Sequence, residues 1–256
     1  MKKFIYVLAF FIFATIKSYA TDIKFVQIDN LKFSPYSEDS VQNFKNTVKD
    51  INKQKDVSFV IFTGNNIAKS DKKYLAEFLK STKKLDAPCY VALGHKDLNK
   101  KKGLTKLEYM KKVKNLTHKN IKQPNYIFAK NGVVFIVADG AKEFIQTPFG
   151  YYREDVIQFV DTKLTENADK NAVILQHFPI YPPKNEDAYR TYKSEDYFEM
   201  LGKHKNVKAV VSGFGVNSEN DVNGIKHITT AGYPQYRIIE IIDCTGDNPT
   251  IWSTLK

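Results

Sequence analysis

The sequence predicts an α/β domain of two packed mixed sheets with helices on the outside. Three observations carry this. Continuous β-branched and aromatic runs such as VSFVIF (57–62) and AVILQ (172–176) read as strands buried on both faces. Stretches with apolar residues three and four apart lie between such runs and read as amphipathic helices. The C-terminal third adds strand-like runs without helices between them, so parallel and antiparallel pairing are both expected.

In chain order, IKFVQI (23–28) reads as the first strand. A helix follows with Val41, Phe44, Val48 and Ile51 on one face. VSFVIF is the second strand, and the next helix buries Tyr74, Leu75, Phe78 and Leu79. CYVAL (89–93) is the third strand, and a Lys-rich helical excursion spans Leu104 to Val113. YIFAKNGVVFIVAD reads as a hairpin turning at Asn131-Gly132, a dipeptide suited to a two-residue turn. A helix over 153–164 points Val156, Ile157, Val160 and Leu164 inward. AVILQ and KAVVS are buried strands separated by a helix near 194–202. The tail segments IKHITTAG, YRIIEIID and TIWST read as three antiparallel strands.

The first twenty residues stand apart from this pattern. A positive start, about thirteen apolar residues and Ser18-Tyr19-Ala20 make a Sec-type signal peptide cut after Ala20. The apolar run falls short of the roughly 20 residues that span a bilayer, and the absence of a cysteine at the cut argues against a lipid anchor. An exported chain, periplasmic or extracellular, is expected. Residues 21–256 then form one domain, with no Pro/Gly/Ser-rich linker or repeat to divide it. The net charge of +11 becomes +8 once the three lysines of the leader are set aside. That balance reads first as a solvated lysine-rich face; the alternative is a surface for anionic partners, a phosphorylated or otherwise anionic small molecule or an anionic envelope polymer. No nucleic-acid-binding motif has the expected spacing. Cys89 and Cys244, in apolar contexts, are expected as buried thiols, with a disulfide the alternative. No nucleophile elbow, C-x-x-C pair, Walker loop or Rossmann glycine pattern occurs.

Five polar loops follow the buried strands: QIDNLKF, FTGNNIAKSD, ALGHKD, LQHFPIYPP and VSGFGVN. Ligands of α/β sheets bind beyond the carboxyl ends of strands, so five loops on one edge converge on one site. Glycines at 64, 94 and 213 let the chain turn sharply there.

The five loops, taken in order, resemble the calcineurin-like metallophosphoesterases, whose loops read D-x-H, G-D-x-x-D, G-N-H-[DE], a lone His before x-P, and G-H-x-H. The corresponding segments are Asp29-Asn30-Leu31, Gly64-Asn65-Asn66-Ile67-Ala68, Gly94-His95-Lys96-Asp97, His177-Phe178-Pro179 and Gly213-Phe214-Gly215-Val216. The resemblance covers nearly all of the chain after the leader and implies a four-layer α/β/β/α sandwich. It also implies two metal ions: one held by Asp29, Leu31, Asn65 and Val216, the other by Asn65, His95, His177 and Phe214. Leucine, valine and phenylalanine have no lone pairs to give, and a neutral amide replaces the bridging carboxylate. Two neighbouring divalent cations repel, and anionic bridging is what offsets that.

A dinuclear centre is therefore not expected. The sequence leaves three readings of the loop edge. One is a single divalent ion (Zn, Mn or Fe) on Asp29, His95 and His177, with Asn65 as an optional further donor, in a divergent phosphoester hydrolase. Another is metal-free, with Lys96 beside His95 as a fixed positive charge for a phosphate or carboxylate. The third is a relic with no working group. A pseudoenzyme that binds a ligand or partner is the function expected, and no cofactor or at most one metal. Asp97, Phe214 and Tyr181 are placed at the ligand edge. Asp71 and Asp139 are expected as cap or surface acids, and His118, His204 and His227 as surface or packing residues. Tyr151, Tyr152, Tyr181 and Tyr189, with Pro182 and Pro183, could wall a ligand.

Overall fold

The computed structural model describes residues 22–114, 116, 121–144, 146–182 and 191–256. The leader, His118, Pro183 and Tyr189 lie outside them. The elements, in order, are β1 (Ile23–Ile28), α1 (Glu38–Asn52), β2 (Val57–Phe62), α2 (Lys72–Thr82), β3 (Cys89–Val91), α3 (Lys106–Val113), β4 (Tyr126–Lys130), β5 (Val133–Ala138), β6 (Gly150–Tyr151), α4 (Glu154–Glu166), β7 (Ala172–Gln176), β8 (Thr191–Tyr192), α5 (Ser194–Gly202), β9 (Val207–Ser212), β10 (Ser218–Val222), β11 (Ile225–Thr229), β12 (Tyr236–Ile242) and β13 (Thr250–Leu255).

Two sheets form, a five-stranded one ordered β13-β12-β1-β2-β3 and a six-stranded one ordered β10-β11-β9-β7-β5-β4. β1, β2 and β3 run parallel, as do β5, β7, β9 and β11, and antiparallel strands close the edges. Apolar side chains between the sheets make the central layer. Phe25 stacks on Phe59 at 4.7 Å, Phe59 meets Phe135 edge-on at 4.9 Å, and Phe135 stacks on Phe128 at 5.0 Å. This aromatic column joins residues of β1 and β2 to residues of β4 and β5, and fully burying each such ring is worth about 1.5–3 kcal/mol.

On the far face of the five-stranded sheet, Phe44 of α1 and Phe78 of α2 pack on Phe62 at 6.0 and 5.1 Å. On the other side α4 packs against β5 and α5. The result is the four-layer α/β/β/α sandwich.

Local signals explain most of the boundaries. The Ser37 side chain accepts the Ser40 N–H at 3.2 Å and caps α1. Asp71, the cap acid, accepts the Lys73 N–H at 2.8 Å. Thr105 and Glu108 form a reciprocal capping box on α3. Asn131 and Gly132 both take positive φ, 45° and 83°, and close the β4–β5 hairpin.

The tail departs from the expected three-stranded antiparallel set. β12 pairs antiparallel with β1 and β13, but β11 joins the other sheet, parallel to β9. Its antiparallel neighbour β10, SENDV, is a polar edge strand with no apolar residue before Val222 to announce it. Val41 is 38 % exposed, because the apolar stripe of α1 reaches the sheet only from Phe44 onward. Cys89 and Cys244 are buried thiols, the second in a turn after β12 rather than in a strand.

Candidate functional site

The loops after β1, β2, β3, β7 and β9 meet at one edge of the sandwich. The first two are zipped together: the Asn30, Lys32 and Phe33 N–H groups donate to the Gly64, Asn65 and Asn66 carbonyls at 3.0, 2.8 and 2.9 Å. Asn30, Lys32, Asn65 and Phe214 all take φ between 47° and 54°, a left-handed backbone that these bonds hold in place.

Asp29 is fully buried at the centre. Its Oδ1 accepts the Thr63 hydroxyl at 3.0 Å and lies 3.2 Å from His177 Nδ1, and its Oδ2 accepts the Phe214 N–H at 2.9 Å. His177 is also fully buried. Its Nδ1 sits 2.7 Å from the Thr63 carbonyl, an acceptor only, which assigns the ring proton to Nδ1. Nε2 is left with a lone pair and no partner.

Above it lie His95 and Phe214, with ring centroids 5.9 and 5.0 Å from that of His177. Phe214 meets His95 edge-on at 4.9 Å, and Phe178 closes the cluster at 4.6 Å from His177. The Nδ1 of His95 is likewise buried without a partner. Burial, then His177, Lys96 and Lys32, push its pKa down to about 3, so the ring is neutral at ordinary pH.

Asn65 cross-links the loops. Its Nδ2 donates to Asn30 Oδ1 at 3.0 Å, and its Oδ1 accepts the Lys96 N–H at 2.8 Å. Asp97 does not reach the edge. It is fully buried, accepts the Gly94 and Ile67 N–H groups at 2.9 and 3.1 Å, and ties β3 to the β2 loop. Desolvation pushes its pKa up to about 7 against those donors.

At the mouth stand Lys96, half-buried, and Lys32, exposed and not singled out by the sequence reading. Burial and the nearby Lys96 charge lower the Lys32 pKa, with Asp29 opposing. Neither ammonium has a carboxylate within salt-bridge distance among the described residues. Lys32 was legible only as the residue after Leu31 in the first of the five loops. Thr63, Asn30 and Phe178 were missed as well, and flanking the named residues is the only signal they carry.

The remaining candidates lie elsewhere. Leu31 is buried and Val216 is 66 % exposed. Tyr181 packs on His227 and Phe198 at 5.2 and 5.9 Å, away from His95. Tyr152 is fully buried and donates to the Phe178 carbonyl at 2.8 Å, so it supports the β7 loop from beneath rather than walling a ligand. Tyr151 is partly exposed beside Lys142. Asp139 is buried and paired with Lys106 at 2.6 Å, His204 lies 2.7 Å from Asp161, and His227 is buried. A cavity of about 740 Å³ opens at the opposite edge, near Asn171, Asn206 and Lys208. None of the five loops contributes to its lining, whose polar side chains include asparagines, Asp169, Asp247, His204 and three lysines.

A family model described as calcineurin-like phosphoesterase matches residues 21–213. The chain belongs to the calcineurin-like phosphoesterase family. Among solved structures, a dimetal phosphatase from Danio rerio aligns with TM-score 0.67 and 14 % identity, over 90 % of this chain and 98 % of that one. The TT1561 protein of Thermus thermophilus aligns with TM-score 0.60 and 13 % identity, over 91 % and 99 %. GAP50, the anchor in the inner membrane complex of Plasmodium, aligns with TM-score 0.52 and 13 % identity, over 91 % and 88 %. At these identities the likeness is one of fold. No curated protein matches the sequence.

The fold implies a two-metal centre, and the residues present do not fit one. Both Asp29 oxygens and both Asn65 side-chain atoms are bonded within the protein. No group of three His, Cys, Asp or Glu side chains able to hold a metal occurs among the described residues. Among the described residues of the five loops, the buried side-chain atoms without a partner are Asn66 Oδ1, His95 Nδ1, Gln176 Oε1 and His177 Nε2.

Proposed function

We propose that this chain is a non-hydrolysing member of its family that binds a small anion, a phosphate or carboxylate group, at the mouth of the old active-site edge. The observation that carries the reading is that the charges of Lys32 and Lys96 act on one another at this edge, with no carboxylate within salt-bridge distance of either among the described residues and Asp29 buried behind them. An anion between them relieves that repulsion and gains charge-assisted hydrogen bonds. Neutral His95 forms the floor beneath it. Asp29 and Asn65, implied metal ligands, bond within the protein instead.

The test is titration calorimetry with inorganic phosphate. A lost hydrogen bond to a charged group costs about 1.5–3 kcal/mol, so Lys32→Ala and Lys96→Ala should each weaken binding by at least about tenfold. Manganese- or zinc-dependent turnover of p-nitrophenyl phosphate at enzymatic rates would defeat the proposal.

A second reading is a divergent phosphoester hydrolase holding one ion. The two spare imidazole nitrogens favour it, and Asp29 would have to give up a hydrogen bond to complete the set. It requires close to one equivalent of Zn, Mn or Fe in the purified protein, lost in His95→Ala.

We also propose export to the periplasm or cell exterior, on the leader at residues 1–20. No helix among the described residues is long and apolar enough to cross a membrane. An intact-mass measurement finding a mature chain that begins at Thr21 checks this.

A further inference from the structure

A second, separate surface begins three residues beyond Asp97. Lys100, Lys101 and Lys102 crowd the loop before α3, and Lys111, Lys112 and Lys114 follow at its far end, all exposed. None of the six has an ion-pair partner among the described residues. The nearby acids are occupied: Glu108 pairs with Lys72 at 3.3 Å and Asp139 with Lys106 at 2.6 Å, while Glu143 Oε1 accepts the Lys106 N–H at 3.0 Å.

Two large apolar side chains stand out of the same surface. Leu107 is 68 % exposed and Phe144 is 62 % exposed. Leu107 and Lys111 are four residues apart on α3, and Lys114, the residue that caps it, follows on the same side; the buried Tyr109 and Val113 lie on the other side, with Met110 at the boundary. Phe144 is brought to this face by its neighbour Glu143, whose carbonyl accepts the Lys100 N–H at 3.0 Å and whose carboxylate accepts that of Lys106. Lys100 Nζ lies 4.2 Å above the Phe144 ring. Cations ringing a protruding leucine and phenylalanine match an anionic bilayer: lysines at the headgroup phosphates, the two apolar side chains just below them. A soluble polyanion would use the lysines and leave Leu107 and Phe144 in water.

We infer that this face docks the protein on an anionic lipid surface, with Leu107 and Phe144 inserted at the headgroup boundary. The inference is independent of anion binding at Lys32 and Lys96. The experiment is sedimentation with vesicles of phosphatidylcholine alone or mixed with phosphatidylglycerol. Wild type and variants carry the same N-terminus, read by mass spectrometry, so any contribution of the leader cancels. Binding should require phosphatidylglycerol and weaken steeply with salt. Lys111→Gln with Lys114→Gln should weaken it roughly 25-fold, at about fivefold per lysine. Leu107→Ser and Phe144→Ser should each weaken vesicle binding about tenfold while retention on immobilised polyphosphate stays unchanged. Both side chains are exposed, so unchanged circular dichroism is expected and separates lost docking from lost folding. Failure to bind phosphatidylglycerol vesicles at low salt overturns the inference. So does a Leu107→Ser/Phe144→Ser protein that binds as wild type, which would mark the face as a general polyanion surface.

Discussion

Gly213, immediately after β9, is the position where the candidate site is least able to accept a side chain. A Cβ built there falls 1.8 Å from Asp29 Oδ1 and 2.2 Å from its Cγ, well inside the 3.0 Å that real Cβ contacts respect. Gly213→Ala therefore has to displace the Asp29 carboxylate or the β9 loop. A displaced carboxylate loses the Thr63 hydroxyl and the Phe214 N–H, both buried with it. Hydrogen bonds to charged groups contribute about 1.5–3 kcal/mol each, so two give roughly 3–6 kcal/mol, and partial relaxation brings the expected loss to about 3 kcal/mol. Urea denaturation reads this as a lower midpoint with an unchanged slope. Asp29→Ala removes the obstruction, so Gly213→Ala added to it should cost little, giving a coupling energy of about 3 kcal/mol in the double-mutant cycle. A Gly213→Ala protein within about 0.5 kcal/mol of wild type, or costs that simply add, would refute the reasoning.

Two further perturbations test other parts of the fold. Burial lowers the His227 pKa from 6.5 to about 4, so the folded state binds fewer protons than the unfolded chain across that window, and stability is lost as pH falls through it. His227→Phe keeps the ring packed against Tyr181 and Phe198 and removes an unpartnered Nε2, so denaturation at about pH 7 and about pH 5 should show the loss on acidification reduced, by about 1.4 kcal/mol per pH unit. Thr105→Ala breaks the capping box of α3 and should cost about 1 kcal/mol in the same assay, with amide exchange accelerating first in the turn at Lys106.

Much of this was legible in the sequence, for a physical reason. A strand buried on both faces has to be apolar throughout, so β2, β5, β7 and β9 announce themselves, and the polar loops after β2, β7 and β9 mark the site edge. A half-exposed edge strand such as β10 has no such requirement, and SENDV reads as loop. The tail was misassigned because a run like IKHIT shows that a strand exists but not which sheet accepts it; pairing of Lys226 with Ala209 rather than with β12 is a tertiary choice. Tyr152 reads as a ligand wall beside Tyr151, but the chain leaves β6 after Tyr151 and buries Tyr152, whose hydroxyl bonds the Phe178 carbonyl. Lys32 was invisible because one lysine in a Lys-rich chain carries no signal until the loop brings it beside Lys96.

The inner groups of the site explain how such an edge keeps its shape without bridging ions. In a dinuclear site the metals fasten neighbouring loops together, and metal binding is part of the folding free energy. Here that fastening is made by protein atoms. Asn65 ties the β1 loop to the β3 loop through Asn30 and Lys96; Asp29 ties β1 to the β2, β7 and β9 loops through Thr63, His177 and Phe214; Asp97 ties β3 to β2 through Ile67. On the proposed reading, the residues that offer no metal donor and the bonds made around them belong together. An amide at 65 donates and accepts at once, which a bridging carboxylate cannot do. A phenylalanine at 214 offers its backbone N–H to Asp29 while its ring covers His177. Lys32 and Lys96 then stand at this edge with no carboxylate within salt-bridge distance among the described residues, which is the basis of the proposed preference for an anion. Under that reading a chelator should leave the unfolding midpoint unchanged and phosphate should raise it, whereas a resident metal ion requires the opposite order.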